Sequence, residues 1–321
     1  MNNMKRFWVV GAGYWGEILQ KKIKETFEPE YIYVIDQNIE NRNRLTSKYP
    51  YLIPSEFDEL LYRGTKSDLY FVATPPDSHF QITQQLLSKQ FSVWCEKPLT
   101  MDSSKAETLI ELANSNKSTL FVDNTFLFDE GIEQLSIKLE NLNPYKSRFT
   151  RKAPGKILKN IGVAWDLMPH DLSIASKLFG ELKLKSIENI TYVNLEDNVN
   201  VLTELTVILS SKKCEEIYFD LSSISNQKIR GINIIHKNGI LGYEMFENTR
   251  KITDVNWSAI PGNHSSSNPS KGICELEVNE PLINALIEFN ALSEMNSQHE
   301  SLFSTAREIG IIEEVMRKLN E

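Results

Sequence analysis

Cysteine is scarce in this chain: Cys95, Cys214 and Cys274 are the three in 321 residues. They are odd in number, far apart and form no Cys-x-x-Cys pair. That excludes a disulfide framework or a cysteine-built zinc cluster, and free thiols fit a reducing compartment. A basic excess is missing as well. Against 35 Lys and Arg stand 43 Asp and Glu, a formal charge of −8, so nucleic acid is not expected as a bulk electrostatic partner. No run approaches the ~18 apolar residues of a membrane span. The opening MNNMKRFWVVGAG reaches glycine after four apolar residues, too short for the apolar stretch of a secretory signal. The expectation is a cytoplasmic protein with no metal, no nucleic acid and no membrane partner. What is there is an ordinary globular composition, 41% hydrophobic and 24% charged. At roughly 100–200 residues per domain, the length predicts two domains.

Residues 1–125 alternate short apolar runs with helix-like segments. FWVVGA (7–12), YIYVID (31–36), DLYFVATPP (68–76), FSVWCEKP (91–98) and TLFVDNTF (119–126) read as strands. The segments 14–27, 38–49, 55–62, 77–90 and 102–116 read as helices, with Ser55 as one cap and a serine or aspartate as another. Near-continuously apolar strands separated by helices imply a parallel sheet covered on both faces. Right-handed crossovers make it doubly wound, a Rossmann-type α/β domain.

From 126 to 321 the pattern changes. Helices at about 128–141 and 166–179 precede strands at 185–195, 201–210, 215–223, 228–238 and 239–245, with Asn238-Gly239 as a hairpin signal. These predict an α/β domain with a mostly antiparallel sheet, helices on one face and room for another subunit on the other. The stretch 258–272 reads as a long loop, a lid or subunit arm. Helices at 281–295 and 301–320 close the chain, the last expected to pack back on the first domain.

GAGYWG places Gly11, Gly13 and Gly16 in G-x-G-x-x-G spacing, with Tyr14 and Trp15 between them. The motif follows the first strand and opens the first helix, and Asp36 lies 20 residues past Gly16 at the end of the second strand. In that context the glycines serve a tight turn, close approach of a pyrophosphate and helix–strand packing, and the helix N-terminus faces the phosphates. A carboxylate at Asp36 accepts hydrogen bonds from ribose hydroxyls and repels a 2′-phosphate. NAD is therefore expected over NADP. The plainer alternatives are a glycine-rich turn of another fold and a solvated strand-end aspartate. Thr74 and Pro75, in the loop ATPPDSHF, are cofactor-wall candidates at the carboxyl edge of the sheet. His79 reads as a hydrogen-bonding residue at a helix N-terminus.

Oxidising a carbinol moves a hydride to the nicotinamide and a proton to a base. Lys97, in CEKPLT before Pro98, is placed at a strand end facing the expected inter-domain cleft. Partial burial would lower its pKa; otherwise it stays charged and hydrogen-bonds the substrate oxygen, or is merely a surface lysine. In WDLMPHDL, Asp166 and His170 share a helix face at i and i+4. Pro169 is tolerated if that helix starts near Asp166. Histidine suits proton transfer near neutrality. Against this, Asp166 can be a helix cap, His170 a satisfied first-turn histidine, and Asp171 a favourable N-terminal charge.

Taken in order, GAGYWG, ATPPDSH, CEKPLT, FVDNTFLF and WDLMPHDLSI resemble the glucose–fructose oxidoreductase / inositol dehydrogenase / rhizopine-catabolism (Gfo/Idh/MocA) family over the first 180 residues. The resemblance implies an NAD-dependent oxidoreductase acting on CH–OH groups, a homodimer or homotetramer built by the C-terminal sheet, catalytic Lys97, His170 and Asp166, and Glu96 near the nicotinamide. Family members differ on whether lysine or histidine is the base. The tryptophan-Asp-Leu-x-Pro-His-Asp wording is similar to members acting on nucleotide-linked sugars in surface-polysaccharide synthesis. The alternatives are a free sugar or inositol dehydrogenase, an NAD-retaining glycosidase and a non-catalytic NAD-binding sensor. Asp123-Asn124 departs from the Gly-His of many relatives at a position that the resemblance places facing the active site. The basic stretch 148–160 offers Arg151, Lys152 and Lys156 as candidates for steering an anionic substrate, or is a solvated loop.

Overall fold

The computed structural model describes residues 5–154, 161–195, 198–246, 249–256, 271–277 and 280–321. It divides into two compact units, Met1–Thr125 with Leu282–Ile309, and Phe126–Pro281 with Gly310–Glu321.

The first unit alternates β1 (Phe7–Val10), α1 (Tyr14–Phe27), β2 (Ile32–Ile35), α2 (Ile39–Lys48), β3 (Leu52–Pro54), α3 (Phe57–Arg63), β4 (Leu69–Val72), α4 (Pro76–Ser88), β5 (Ser92–Cys95), α5 (Ser103–Asn116) and β6 (Leu120–Val122). All strand pairs are parallel, in the order β3-β2-β1-β4-β5-β6. This is the expected doubly wound sheet. FWVV, LYFV and SVWC are buried at every position, which is why these runs are apolar without alternation. The order reverses at β1, with β2 on one side and β4 on the other, so ligands are drawn to the carboxyl ends of these strands. Asn38 and Asp102 cap α2 and α5 by accepting backbone N–H bonds. The expected Ser55 cap is not formed. Glu56 holds the N-cap position of α3, and the Ser55 hydroxyl donates to Glu59 instead.

In the second unit come α6 (Glu130–Leu139), β7 (Pro144–Pro154), α7 (Gly162–Phe179), β8 (Lys183–Asn194), β9 (Asn200–Ser210), β10 (Glu216–Ser222), β11 (Ile224–His236), β12 (Gly239–Met245), β13 (Thr249–Asn256) and β14 (Lys271–Glu277). Eight strands form one sheet, β14-β13-β12-β11-β7-β10-β9-β8, antiparallel except for β7 beside β10. The helix α7 packs on β7, β9 and β10, and α6 on β12 and β13.

Several expectations are corrected here. Residues 148–154 are no solvated loop but half of β7, a central strand whose Ser147, Phe149 and Arg151 are buried. The hairpin turns on Lys237 and Asn238, because His236 pairs with Gly239 as the first rung. The strands β13 and β14 were not anticipated. Most of the expected 258–272 loop, and Lys156, lie outside the described residues.

The chain closes with α8 (Pro281–Met295) and α9 (Leu302–Asn320). α8 belongs almost wholly to the first unit, where Phe289 meets Phe71, Trp94 and Phe121 at 5.5, 5.8 and 5.7 Å between ring centroids. Among the described residues no helix is long and apolar enough to cross a membrane.

Candidate active site

The loop after β1 is shaped by its glycines. Gly11 has φ +114°, and a Cβ there would lie 2.3 Å from the Ala73 carbonyl oxygen. A Cβ on Gly16 would lie 1.9 Å from the Gly11 carbonyl oxygen. Neither position admits a side chain. Gly13 is different: a Cβ there would meet nothing within 4 Å. It is the N-cap of α1 and makes no side-chain cap hydrogen bond. Tyr14 and Trp15 follow in the first turn with their rings largely exposed.

Asp36, just past the end of β2, is brought onto this loop. Its Oδ2 accepts from the Ala12 N–H at 2.6 Å and its Oδ1 from the Asn38 N–H at 2.8 Å. Arg44 of α2 donates to the Ala12 carbonyl and to Glu17, at 3.1 and 2.8 Å. Glu17 also receives Lys48 and the Tyr49 hydroxyl, and these donors lower its pKa to about 2.

The loops after β4 and β5 are tied together. The buried His79 lies with Nε2 2.7 Å from the Thr74 carbonyl and Nδ1 2.9 Å from the Pro98 carbonyl, and burial lowers its pKa. Thr74 is half-buried beside the exposed Pro75. The Lys97–Pro98 peptide is cis, and Lys97 itself is half-buried. Next to it, Glu96 and Asp123 stand side by side at the ends of parallel neighbours β5 and β6, since Cys95 pairs with Val122. Both are buried, and each carboxyl acts on the other. Burial and the adjacent Asp123 hold the Glu96 carboxyl well above the usual carboxylate range, and burial raises Asp123 too. Asp123 accepts from the Thr125 hydroxyl as well. Two buried acids thus adjoin each other next to Lys97 in the chain. Sequence reasoning singled out each acid without seeing the pairing. The available signal was that two adjacent parallel strands each end in a carboxylate.

In the second unit, Asp166 and His170 lie one turn apart on α7, both half-buried. The helix begins at Gly162, four residues before Asp166. Asp166 is therefore no cap, and Pro169 sits inside the helix, where it cannot donate to the Trp165 carbonyl. Asp171 is not an N-terminal charge either. It is buried and paired with Arg151, whose Nε and Nη2 stand 2.8 and 2.7 Å from Oδ1. The His170 ring meets Phe126 edge-on at 5.0 Å.

Residues 5–124 match a family model described as oxidoreductase family, NAD-binding Rossmann fold. This N-terminal region is similar to that family. Among curated relatives, a UDP-N-acetylglucosamine 3-dehydrogenase of Acidithiobacillus ferrooxidans is 24% identical over 181 residues, 54% of this chain and 53% of the relative. An inositol 2-dehydrogenase of Rhizobium meliloti is 21% identical over 184 residues, 55% of each chain. The matched region thus spans about half the length of these relatives. A crystal structure of a 3-ketoreductase from Actinomadura kijaniata, in complex with TDP-benzene and NADP, superposes with a TM-score of 0.82 at 15% identity, covering 97% of this chain and 96% of that one. At that identity it is the fold of the whole chain that is shared.

The matched family is NAD-binding, and the residues around the loop after β1 fit such a group. The space over Gly13, which a Cβ would enter freely, is bounded by the first turn of α1, whose N–H groups have no side-chain cap. Asp36 stands against that loop through its bond from the Ala12 N–H.

Proposed function

We propose that the protein is an NAD-dependent oxidoreductase of a sugar ring hydroxyl or ketone, the sugar being linked to a nucleotide. The glycine cradle with the Asp36 carboxylate against it carries the reading, together with the family match. Gly11, Gly13, Tyr14, Trp15, Gly16, Asp36, Thr74, Pro75, Glu96 and Lys97 hold the dinucleotide. When bound, the nicotinamide accepts or returns a hydride.

The chain's own residues manage the proton and the substrate. His170 takes the hydroxyl proton during oxidation and returns it during reduction, and Asp166, one turn earlier on the same face, orients the imidazole or the hydroxyl. The Lys97 side chain donates to the substrate oxygen, next to the buried acids Glu96 and Asp123. Preference for NAD follows from Asp36, which would repel a 2′-phosphate. Arg44 does not reverse this, since its guanidinium is engaged by Glu17 and the Ala12 carbonyl.

A homodimer or homotetramer is proposed through the sheet face opposite α6 and α7. That face presents Lys146, Arg148 and Tyr218, with both cations stacked on the tyrosine ring.

The test is NAD(H) turnover with UDP- and dTDP-linked sugars beside free inositol and glucose. Lys97→Ala and His170→Ala are each expected to lower turnover at least roughly tenfold with NAD affinity little changed. Retained turnover in both variants, or equal use of NADP by the parent, refutes the respective assignment.

A further inference from the structure

A second cluster, in the substrate unit, exceeds what folding requires. In the register of β7 and β11, Arg151 and Arg230 are directly opposed partners. Like charges facing each other across a ladder are destabilising, so the arrangement needs a reason. Asp171 answers only part of it. The Asp171 carboxylate engages Nε and Nη2 of Arg151, while Arg151 Nη1 and Asp171 Oδ2 are buried with no hydrogen-bond partner among the described residues. Arg151 is 5% exposed. Arg230 makes no ion pair among the described residues, and burial together with Arg151 lowers its pKa to about 10. The third cation nearby, Arg250, is already committed to Asp129 at 2.6 Å. Among the contacts of the described residues, three guanidinium groups thus face the carboxylates of Asp129 and Asp171, one positive charge more than these two balance.

The excess is aimed at the chemistry. The Phe126 ring lies under both cations, 4.7 Å from the Arg151 guanidinium carbon and 5.2 Å from that of Arg230. The same ring meets His170 at 5.0 Å. The guanidinium carbons of Arg151 and Arg230 therefore lie at most 9.7 and 10.2 Å from the imidazole centre, a span that a monosaccharide with one acidic substituent bridges.

We propose that Arg151 and Arg230, seated on Phe126, form an oxyanion subsite that receives a carboxylate or phosphate carried by the substrate. The planar fork of arginine suits either group bidentately, and an arriving anion removes the repulsion between the two strands. Two sources share this chemistry, a carboxylate on the sugar ring and the diphosphate that links it to a nucleoside. The proposal rests on the sugar-oxidoreductase reading, but its test does not use turnover.

Calorimetric titration of the full chain with UDP, with glucuronate and with glucose as the neutral control decides it, NAD being titrated separately. The parent is expected to bind at least one of the two anions and not glucose at the same concentration. Binding to UDP alone assigns the diphosphate, and binding to glucuronate alone assigns a ring carboxylate. Arg230→Gln is expected to weaken that binding roughly tenfold or more with NAD affinity unchanged, and Arg230→Lys to restore part of it. Arg151→Lys keeps a charge against Asp171 while removing the fork, and it too is expected to bind the anion more weakly. A parent that binds neither anion overturns the subsite, as does an Arg230→Gln protein that binds as the parent does. Intact NAD and anion binding without turnover on any sugar would instead count against the catalytic reading alone.

Discussion

A single methyl group separates two kinds of glycine in the loop after β1. Gly16→Ala drives a Cβ into the Gly11 backbone, where no rotamer relieves it. The expected cost is about 2–3 kcal/mol or more, read by urea denaturation of the apo chain. Gly13→Ala meets open space and should stay within about 1 kcal/mol of the parent. On the proposed cofactor placement its Cβ occupies the room the pyrophosphate needs, so NAD affinity should fall roughly tenfold or more. NAD affinity unchanged in Gly13→Ala would mean that Gly13 does not face the cofactor. A different kind of residue effect attaches to Glu96. Burial and Asp123 raise its pKa well above 4.5, so the folded chain holds a proton that the unfolded chain releases. Its contribution to stability is therefore full below about 4.5 and declines as pH rises through the folded value. Urea midpoints measured at about pH 5 and about pH 8 should drop for the parent and drop less for Glu96→Gln. Parallel declines would show that no proton is retained at this pair.

At the scale of single elements, α7 and β7 show what a local pattern conveys and what it conceals. The Asp166–His170 spacing was legible because i, i+4 geometry is a property of any helix. The helix start was not. Pro169 suggested a first turn, but Val163, Ala164, Trp165 and Met168 are all buried, and their packing outweighs the donor missing at Pro169. β7 was hidden by its charges. Period-two alternation places Ser147, Phe149 and Arg151 inward, and an inward arginine reads as solvated until its partner is known. That partner, Asp171, lies 20 residues away. Removing it gives a direct measure of the pair: Asp171→Asn leaves Arg151 facing Arg230 with no carboxylate and should cost about 3–5 kcal/mol. Asp220→Asn, which breaks the pair between Arg148 and Asp220 at an exposed guanidinium, should cost no more than about 1 kcal/mol. Equal costs by denaturation would contradict the burial contrast.

At the scale of the whole molecule, the doubly wound sheet could be read from alternation because each βα unit announces itself within about thirty residues. The Glu96–Asp123 pairing could not, since it exists only through the register of two strands. Nor could the membership of α8. PLINALIEFNALSEM has apolar residues around most of its circumference, so its periodicity points to no single face. Its place is set instead by Phe289, which is fully buried against rings from β4, β5 and β6. The same region is secured by the Thr119 hydroxyl donating to the Leu292 carbonyl and the Gln298 side chain accepting from the Leu120 N–H. The cofactor unit is thus finished by residues more than 150 positions beyond its last strand. Phe289→Ala opens a ring-sized cavity beside Phe71, Trp94 and Phe121 and should cost about 3–5 kcal/mol. A fragment ending at Thr125 leaves that whole surface uncovered and should lack a cooperative melt and NAD binding, while the same fragment with 282–309 appended should regain both. If the short fragment folds and binds NAD alone, α8 is a covering rather than a part of the sheet's core. In that case Phe289→Ala should cost far less than the burial of its ring requires.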